Sequence, residues 1–375
     1  MNWGDGTIEE LLLGVVRHAL WQTPLPSGEL AARRFADLMN AAEKQAVVGL
    51  VAASLMEHGS GVVLPKRTAA RIFMLVRDIG GVNSSVAHSL QSLCHLLEKA
   101  QVPFVVVKGQ VVGALYPNPS LRLPGDIDFY IPPSAFDAAK NLITDEWKAE
   151  YHKDEDGEQH VAFNQDGTLF EMHYNLYKFF NKHNQTTFDN ILAYNISNRT
   201  VNQIPGVDSG VPVLCQSDNI LYTFLHLYHH LVELGCGLRQ FCDVAVLLSH
   251  FDATEENVRR LKHNLESLDF MGAFRAIGAV LVDHLGLPED KFPFPLTAAD
   301  RKYSGEILSI VFHGGNFGFY GIEEPLRSSK RYYVKAFRRK LSRYHAFYSL
   351  APVETRAMLC YEIPHKVWQA LTGRI

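Results

Sequence analysis

The sequence VVVKGQVVGALYPNPSLRLPGDIDFYI, residues 105–131, indicates the fold of this chain. It continues a short apolar and largely β-branched run, VPFVVV (102–107), which is typical of a buried strand. A short helix is predicted next over GQVVGALY (109–116). A second strand, DIDFYI (126–131), follows and ends at two prolines. Strand, helix and strand in such a short span predict a small α+β unit.

Two aspartates begin the second strand. Because side chains alternate between the two faces of a strand, Asp126 and Asp128 point to the same side, about 6–7 Å apart along the backbone. Carboxylates at this spacing repel each other unless a cation lies between them, and hard oxygen ligands suit Mg²⁺. Gly125 permits an unusual backbone conformation or a close approach directly before the pair, and it is a candidate nucleotide-binding residue. The pattern predicts a metal site, although a lone Asp-x-Asp is also common at solvated strand ends.

A third carboxylate lies in a predicted β-hairpin. The runs HVAFN (160–164) and TLFEMHY (168–174) alternate in polarity, and the Asp-Gly pair between them favours a tight turn. Glu171 and His173 share one face of the second run. If this strand lies beside the aspartate strand, Glu171 completes a three-carboxylate metal site. His173 either orients a ligand or is a buried, hydrogen-bonded histidine.

Basic and backbone groups near the aspartates are candidates for binding phosphate. Lys108 and Gly109 end the first strand and open the short helix, where backbone N–H groups and an ammonium group can hold phosphate oxygens. Arg122 stands four residues before Asp126 and offers a second cation for the same phosphates. The combination of these groups with the carboxylates is far more specific than any one of them alone.

Residues 105–131, followed by LFEMHYNL (169–176), resemble the uncharacterised nucleotidyltransferase family of the DNA polymerase β-like superfamily. Members of that family combine a Lys-Gly pair, an Arg, an Asp-x-Asp strand and a later Glu-x-His strand. The resemblance is weaker over the flanking residues and covers residues 90–250 in all. It implies an α+β nucleotidyltransferase fold, with a small mixed sheet flanked by helices and a helical bundle appended.

The same resemblance implies a Mg²⁺- or Mn²⁺-dependent reaction, in which an acceptor oxygen attacks the α-phosphate of an NTP and pyrophosphate leaves. Asp126, Asp128 and Glu171 would hold the metal ions, and Glu171 would also take the proton of the acceptor. Lys108 and Gly109 stand where the superfamily more usually has Gly-Ser, so the binding of the triphosphate differs from the common pattern. The sequence selects neither the nucleobase nor the acceptor, which is a small hydroxylated molecule or a protein.

Two functions of other classes stay open on the sequence. The first alternative is a non-catalytic module that binds a nucleotide or a partner protein through a decayed site. The second is a metal-dependent phosphohydrolase that uses the same carboxylates. The intact carboxylates argue against decay. Release of phosphate or pyrophosphate without any acceptor would identify a phosphohydrolase.

Further candidates lie on helices predicted after the α+β unit. His229 and His230 are expected as polar groups near the site, whereas His226 and His230 have the i, i+4 spacing of a zinc pair but no obvious third ligand. Arg239 and Asp243 are candidate contacts to nucleotide or acceptor. Equally, they can form an ion pair at i, i+4 within one helix.

Helical periodicity flanks the α+β unit on both sides. Apolar residues recur at three- and four-residue spacings, so we expect an N-terminal helical region (1–100), an α+β core (101–216) and a C-terminal helical domain (217–375). Within the core, Ser134 is predicted to cap a helix over residues 134–147.

The polar segment 185–216 is broken by Pro and Gly. It is predicted to form loops with one short strand, VPVL (211–214).

The bulk composition limits the classes of partner. The 375 residues carry a formal charge of −4, which argues against a dedicated nucleic-acid binder. The basic and aromatic segment 326–348 stays a candidate for contacting nucleic acid. A segment of this composition is more often a solvated amphipathic helix. Five scattered cysteines without a CxxC pair indicate reduced thiols and a cytoplasmic location. No run of eighteen apolar residues predicts a membrane span, and nothing indicates the oligomeric state.

Overall fold

The computed structural model describes residues 2–57, 62–153, 159–318, 320, 330–365 and 368. The helices, in chain order, are α1 (Ile8–Trp21), α2 (Ala32–Lys44), α3 (Val48–Met56), α4 (Lys66–Lys99), α5 (Gly109–Gly113), α6 (Pro133–Trp147), α7 (Lys182–Ser197), α8 (Gln216–Glu233), α9 (Leu238–Ser249), α10 (Glu255–Ser267), α11 (Met271–Asp283), α12 (Ala298–Arg301), α13 (Ser304–Gly314), α14 (Lys330–Ala346) and α15 (Pro352–Ala357). The strands are β1 (Val105–Val107), β2 (Ile127–Tyr130), β3 (His152–Lys153), β4 (His160–Gln165), β5 (Thr168–His173), β6 (Thr200–Asn202) and β7 (Val211–Val213).

The strands of the described residues form one mixed sheet in the order β3-β4-β5-β2-β1-β7-β6. At its centre β2 pairs antiparallel with β1 and parallel with β5. The predicted small mixed sheet flanked by helices is therefore confirmed, and the aspartate strand occupies its middle. This central position fixes the directions of the polar side chains, because both neighbours hold β2 in register.

The two faces of the sheet have different partners. Val106, Phe129 and Met172 belong to one apolar cluster with the second half of α4 and with α6. Val105 and Tyr130, on the opposite face, belong to a larger cluster that includes α1, α3, α8, α9 and α11. Since side chains alternate along each strand, the acidic residues of β2 and β5 face the helices of this larger cluster.

Three strands and a turn in the core form as their local patterns predict. The Asp-Gly turn joins β4 and β5 with Gln165 opposite Thr168, and both turn residues have positive φ, 50° at Asp166 and 79° at Gly167. Such a two-residue turn matches the twist of the strands it connects. The predicted strand VPVL is present as β7.

The predicted N-cap at Ser134 is wrong. Helix α6 begins one residue earlier, at Pro133, and Pro132 is its cap residue without any side-chain hydrogen bond to the helix. A proline suits the first helical position, because its φ is already helical and its missing N–H has no partner to lose there.

The prediction of loops for residues 185–216 is also wrong. Most of the first half of that segment belongs to α7, where the side chain of Asn181 caps the helix by accepting from the N–H of Asn184. Phe188 and Leu192 are buried on one stripe of α7, between polar residues that mask the helical period. A further strand, β6, then pairs with β7.

The basic and aromatic segment 326–348 falls partly outside the described residues, which resume at position 330. From there it forms α14, whose Tyr344 and Lys340 contact the Glu233 carboxylate at the end of α8. Burial of Tyr344 shows that one side of this helix packs on the protein. A nucleic-acid contact through its other side stays a prediction.

No described helix combines the length and the apolar character needed to cross a bilayer. The division into parts at residues 1–100, 101–216 and 217–375 stays a prediction.

Candidate active site

Three carboxylates meet on the face of the sheet that is turned toward α8 and α9. Asp126 directly precedes β2, and Asp128 lies opposite Glu171 in the parallel ladder of β2 and β5. One carboxylate oxygen from each of the three lies within 4.8 Å of the others. The adjacency of strands on which the three-carboxylate site depends is thus present.

Asp128 is the most enclosed of the three carboxylates, with an exposed fraction of 2%. Its Oδ1 lies 2.7 Å from Nζ of Lys108 and 3.0 Å from Nε2 of His173. Burial opposes ionisation of Asp128, but the Lys108 charge and the His173 hydrogen bond outweigh it and hold the pKa of this carboxyl well below its usual range. Burial likewise opposes the charge of Lys108, yet the neighbouring Asp128 raises the pKa of the ammonium. The two groups form a buried ion pair.

Asp126 has no cationic partner comparable to Lys108 among the residues that the structure describes. The charge of Asp128 and the burial of the site together raise the pKa of Asp126 to about 6, and Lys108 offsets only part of that effect. The carboxylates therefore carry more negative charge than their surroundings neutralise. Three hard oxygen donors with an excess of negative charge are the environment that a divalent cation such as Mg²⁺ favours, so the residues present fit a metal ion.

Lys108 reaches the site through an unusual backbone conformation at the corner between β1 and α5. Its φ of 53° and ψ of −139° lie outside the regions that side-chain-bearing residues prefer. Gly109 also has positive φ, and a Cβ there would lie 3.3 Å from the carbonyl oxygen of Asp126. Conformations of this kind persist where the surrounding structure enforces them, often at functional sites. Here the corner directs the ammonium toward the aspartates.

A second buried ion pair joins the loop before β2 to α9. Nε and Nη2 of Arg122 each donate a hydrogen bond of 2.8 Å to the carboxylate of Asp243. The hydroxyl of Tyr116 donates a third, at 2.7 Å. Asp243 is thus paired with a residue on another element, and not with Arg239 on its own helix.

Arg239 lies next to this pair and is less well balanced. Its Nη1 donates to the carbonyl oxygen of Leu123 at 3.2 Å, whereas its buried Nε has no hydrogen-bond partner in the ranges that the structure describes. Burial and the neighbouring Arg122 charge lower the pKa of the Arg239 guanidinium, although Asp243 offsets part of that effect. A bound anion beside Arg239 would stabilise the charged form of its guanidinium.

Three histidines of α8 form the opposite wall. Burial, together with the positive charge of Lys108 and the neighbouring histidines, lowers the pKa of His226 and of His230 well below the ordinary value. These two rings are therefore neutral at pH 7, with centroids 4.4 Å apart. Among the described residues no third ligand atom completes a zinc site with them. His229 stands beside them, with its ring 5.8 Å from that of His230.

The residues predicted from the sequence all line one cavity of about 330 Å³. They are Lys108, Gly109, Arg122, Gly125, Asp126, Asp128, Glu171, His173, His229, His230, Arg239 and Asp243. The cavity therefore brings together groups from the sheet, from the loop before β2 and from both α8 and α9.

Other lining residues were not predicted as site residues. They are Gln159, His160, Leu176, Tyr222, Thr223, His226 (considered only for zinc) and Gln240. His160 was within reach of the sequence, because counting back from the two-residue turn places it opposite His173. Tyr222 precedes His226 and His230 at intervals of four residues, so one helix face carries all three.

A comparison with protein families decides the classification. The sequence profile of a family described as uncharacterised nucleotidyltransferase matches residues 32–282. The chain belongs to this nucleotidyltransferase family. Among solved structures, this member of the family is similar to an antigenic nucleotidyltransferase-like protein from Paracoccidioides brasiliensis, with 15% identity and a TM-score of 0.33 over 51% of this chain and 86% of the other. No curated protein matches it.

Proposed function

We propose that this member of the family is a Mg²⁺-dependent enzyme, with Mn²⁺ as an alternative ion, that transfers an NMP group from an NTP to an acceptor oxygen and releases pyrophosphate. The observation that carries the proposal is the meeting of Asp126, Asp128 and Glu171 within 4.8 Å at a cavity that also holds three cationic side chains. The family match supports the reaction class.

The pairing of charges in the cavity supports a metal–nucleotide complex as the substrate. Lys108 is neutralised by Asp128, and Arg122 by Asp243. Asp126 and Glu171 remain without a lysine or arginine partner at ion-pair distance among the described residues, and Arg239 remains without a carboxylate partner there. An excess of negative charge on one side suits a divalent cation, and an excess of positive charge on the other suits phosphate oxygens.

Each charged group has a distinct role in this proposal. Ions held by Asp126, Asp128 and Glu171 would supply neutralisation of the charge that develops on the phosphates during in-line displacement. Lys108 keeps Asp128 ionised and oriented. Arg239 binds the outer phosphates, and Arg122 holds the loop before β2 against α9. Glu171, which is partly exposed, takes the proton from the acceptor hydroxyl.

The two neutral histidines of α8 indicate what kind of acceptor group suits the cavity. Uncharged imidazoles donate and accept hydrogen bonds without adding charge beside Lys108. His226 and His230 therefore favour a polar, uncharged acceptor group such as the hydroxyl of a small molecule or of a protein side chain.

The proposal includes a reducing, cytoplasmic compartment. All five cysteines of the chain are free thiols, which supports that location.

A thermal-shift panel tests the proposal. ATP, GTP, CTP and UTP are each added with and without Mg²⁺ to the wild type, to Asp126→Asn/Asp128→Asn and to Asp137→Asn, which changes an exposed acid on α6. We expect a Mg²⁺-dependent rise in melting temperature for at least one nucleotide, absent in the double variant and retained in Asp137→Asn. The responding NTP, labelled at its α-phosphate, then identifies the acceptor by transfer of the label.

Two outcomes would contradict the proposal. If no nucleotide shifts the melting of folded wild type, the chain is better explained as a non-catalytic module. If labelled NTP is consumed at the same rate with and without candidate acceptors, and only water receives the nucleotidyl group, the chain is a phosphohydrolase.

A further inference from the structure

A second group of side chains that could hold a metal ion lies on the same face of the sheet, nearer its edge. His160 on β4 is paired directly with His173 on β5, and Glu171 precedes His173 by two residues. Residues that face each other across an antiparallel ladder point to the same side, as do residues two apart on one strand. The three side chains therefore converge because of sheet register alone.

The distances within this group match those between the ligands of one ion. Nε2 of His160 lies 3.8 Å from Oε1 of Glu171, and Nε2 of His173 lies 3.5 Å from Oε2. One ligand atom from each residue lies within 4.8 Å of the other two. The two imidazole rings have centroids 4.7 Å apart.

The burial of His173 adds an independent observation. Its side chain is 7% exposed, and its Nδ1 is buried without a hydrogen-bond partner in the part of the chain that the structure describes. Burial fixes the ring so that its other nitrogen, Nε2, faces both Asp128 and Glu171, and an ion bound at Nε2 would replace the hydrogen bond with Asp128.

The ligand types distinguish this group from the carboxylate site. Mg²⁺ prefers oxygen ligands, whereas two imidazoles with one carboxylate suit zinc and other divalent transition metals. A His₂Glu set that leaves a further position open is also a known catalytic zinc arrangement. We propose that His160, His173 and Glu171 form a separate subsite for a divalent transition-metal ion, with Zn²⁺ the best fit, and that Glu171 is shared between this subsite and the carboxylate site.

The inference goes beyond nucleotidyl transfer, because the subsite is defined by its own ligands and needs no nucleotide. The shared Glu171 makes the two ions neighbours. An ion at the histidine subsite therefore adds positive charge beside the excess negative charge of Asp126 and Glu171.

Calorimetric titration of Zn²⁺ alone into chelator-treated full chain tests the subsite. The wild type should bind one Zn²⁺ per chain, and His160→Gln should lower the Zn²⁺ affinity by about 100-fold, since loss of an outer-shell partner alone often costs about 10- to 100-fold. His263→Gln, at an exposed histidine of α10, and Asp126→Asn should both bind Zn²⁺ as the wild type does.

Three results of the titration would overturn the inference. They are unchanged Zn²⁺ affinity in His160→Gln, loss of binding in His226→Gln instead, and loss in Asp126→Asn without loss in His160→Gln. The last result would assign the ion to the carboxylate site. Because nucleotide plays no part in the titration, a negative nucleotide panel with intact Zn²⁺ binding would contradict the proposed function and leave the subsite standing.

X-ray absorption spectroscopy at the zinc edge is done on Zn²⁺-loaded wild type. It needs no variant, so a folding defect in a variant cannot affect the result. We expect the spectrum to show a shell of nitrogen and oxygen ligands around the Zn²⁺ ion, with the scattering of two imidazole rings. A shell with fewer than two imidazoles, or one that contains cysteine sulfur, would overturn the assignment.

Discussion

Removal of the Asp243 charge should destabilise the protein strongly, because it leaves a buried guanidinium without its partner. Arg122 and Asp243 are each 6% exposed, and two hydrogen bonds of 2.8 Å join them. Asp243→Asn keeps the shape of the side chain but removes its charge and one of its two acceptors for Arg122. Breaking a buried pair by changing one partner costs about 3–5 kcal/mol, and we expect a loss of that size in the free energy of unfolding.

The double variant Arg122→Met/Asp243→Leu gives the decisive comparison. Removing both charges eliminates the unpaired ion, and apolar replacements of a buried pair are often neutral or stabilising. We therefore expect the double variant to be more stable than Asp243→Asn, although only the double variant removes the acceptor of the Tyr116 hydroxyl, since an asparagine amide oxygen can still accept there.

Urea denaturation followed by circular dichroism measures these differences. Glu266→Gln serves as a control, because it breaks an ion pair with Lys262 whose side chains are 57% and 55% exposed, and it should change stability by less than about 0.5 kcal/mol. A loss below about 1 kcal/mol in Asp243→Asn, or a double variant less stable than Asp243→Asn, would refute the reasoning from burial.

Three further predictions concern the nucleotide, the metal and the pH. Arg239→Met should raise KM for the NTP about 10- to 100-fold in steady-state kinetics, since a hydrogen bond to a charged group contributes about 1.5–3 kcal/mol. Excess Mg²⁺ over EDTA should raise the melting temperature of the wild type but not of Asp126→Asn/Asp128→Asn, because the ion binds only the folded carboxylate site. Burial raises the pKa of Glu354 to about 7 from an ordinary value of 4.5. The folded state thus binds this proton more tightly, so stability should fall by roughly 3 kcal/mol between pH 4.5 and pH 8, and Glu354→Gln should remove that part of the pH dependence in urea denaturation.

Each of these predictions has a matched control or a contrary outcome. Arg259→Met, at an exposed arginine of α10, should leave KM unchanged, and an equal effect of both arginine variants would remove Arg239 from the phosphate site. Identical melting curves in EDTA and in Mg²⁺ would argue against the carboxylate site. Parallel stability curves for the wild type and Glu354→Gln across this pH range would show that the buried carboxyl has an ordinary pKa.

Local chemistry explains which parts of the fold were predictable. The strand before Lys108, the aspartate strand and the Asp166–Gly167 hairpin depend on alternation, β-branching and positive φ, all of which are readable within a few residues. Helix α7 escaped prediction because its apolar stripe is narrow and set among polar residues, so that only burial against neighbouring helices makes it stable. The start of α6 at Pro133 shows a smaller limit, since two adjacent prolines and a serine are all compatible with a helix start.

The sequence by itself determined the class of the protein and the candidate groups of its site: the carboxylates of Asp126, Asp128 and Glu171 and the cations near them in the chain. Only the tertiary structure decided how these charges pair. Arg122 and Asp243 are 121 positions apart, yet they neutralise each other. Of the lysine and arginine side chains that line the cavity, Arg239 is thus left without a carboxylate partner among the described residues. Residue types and strand alternation are local properties, whereas electrostatic pairing depends on distances of a few ångströms that arise only when α9 packs against the loop before β2.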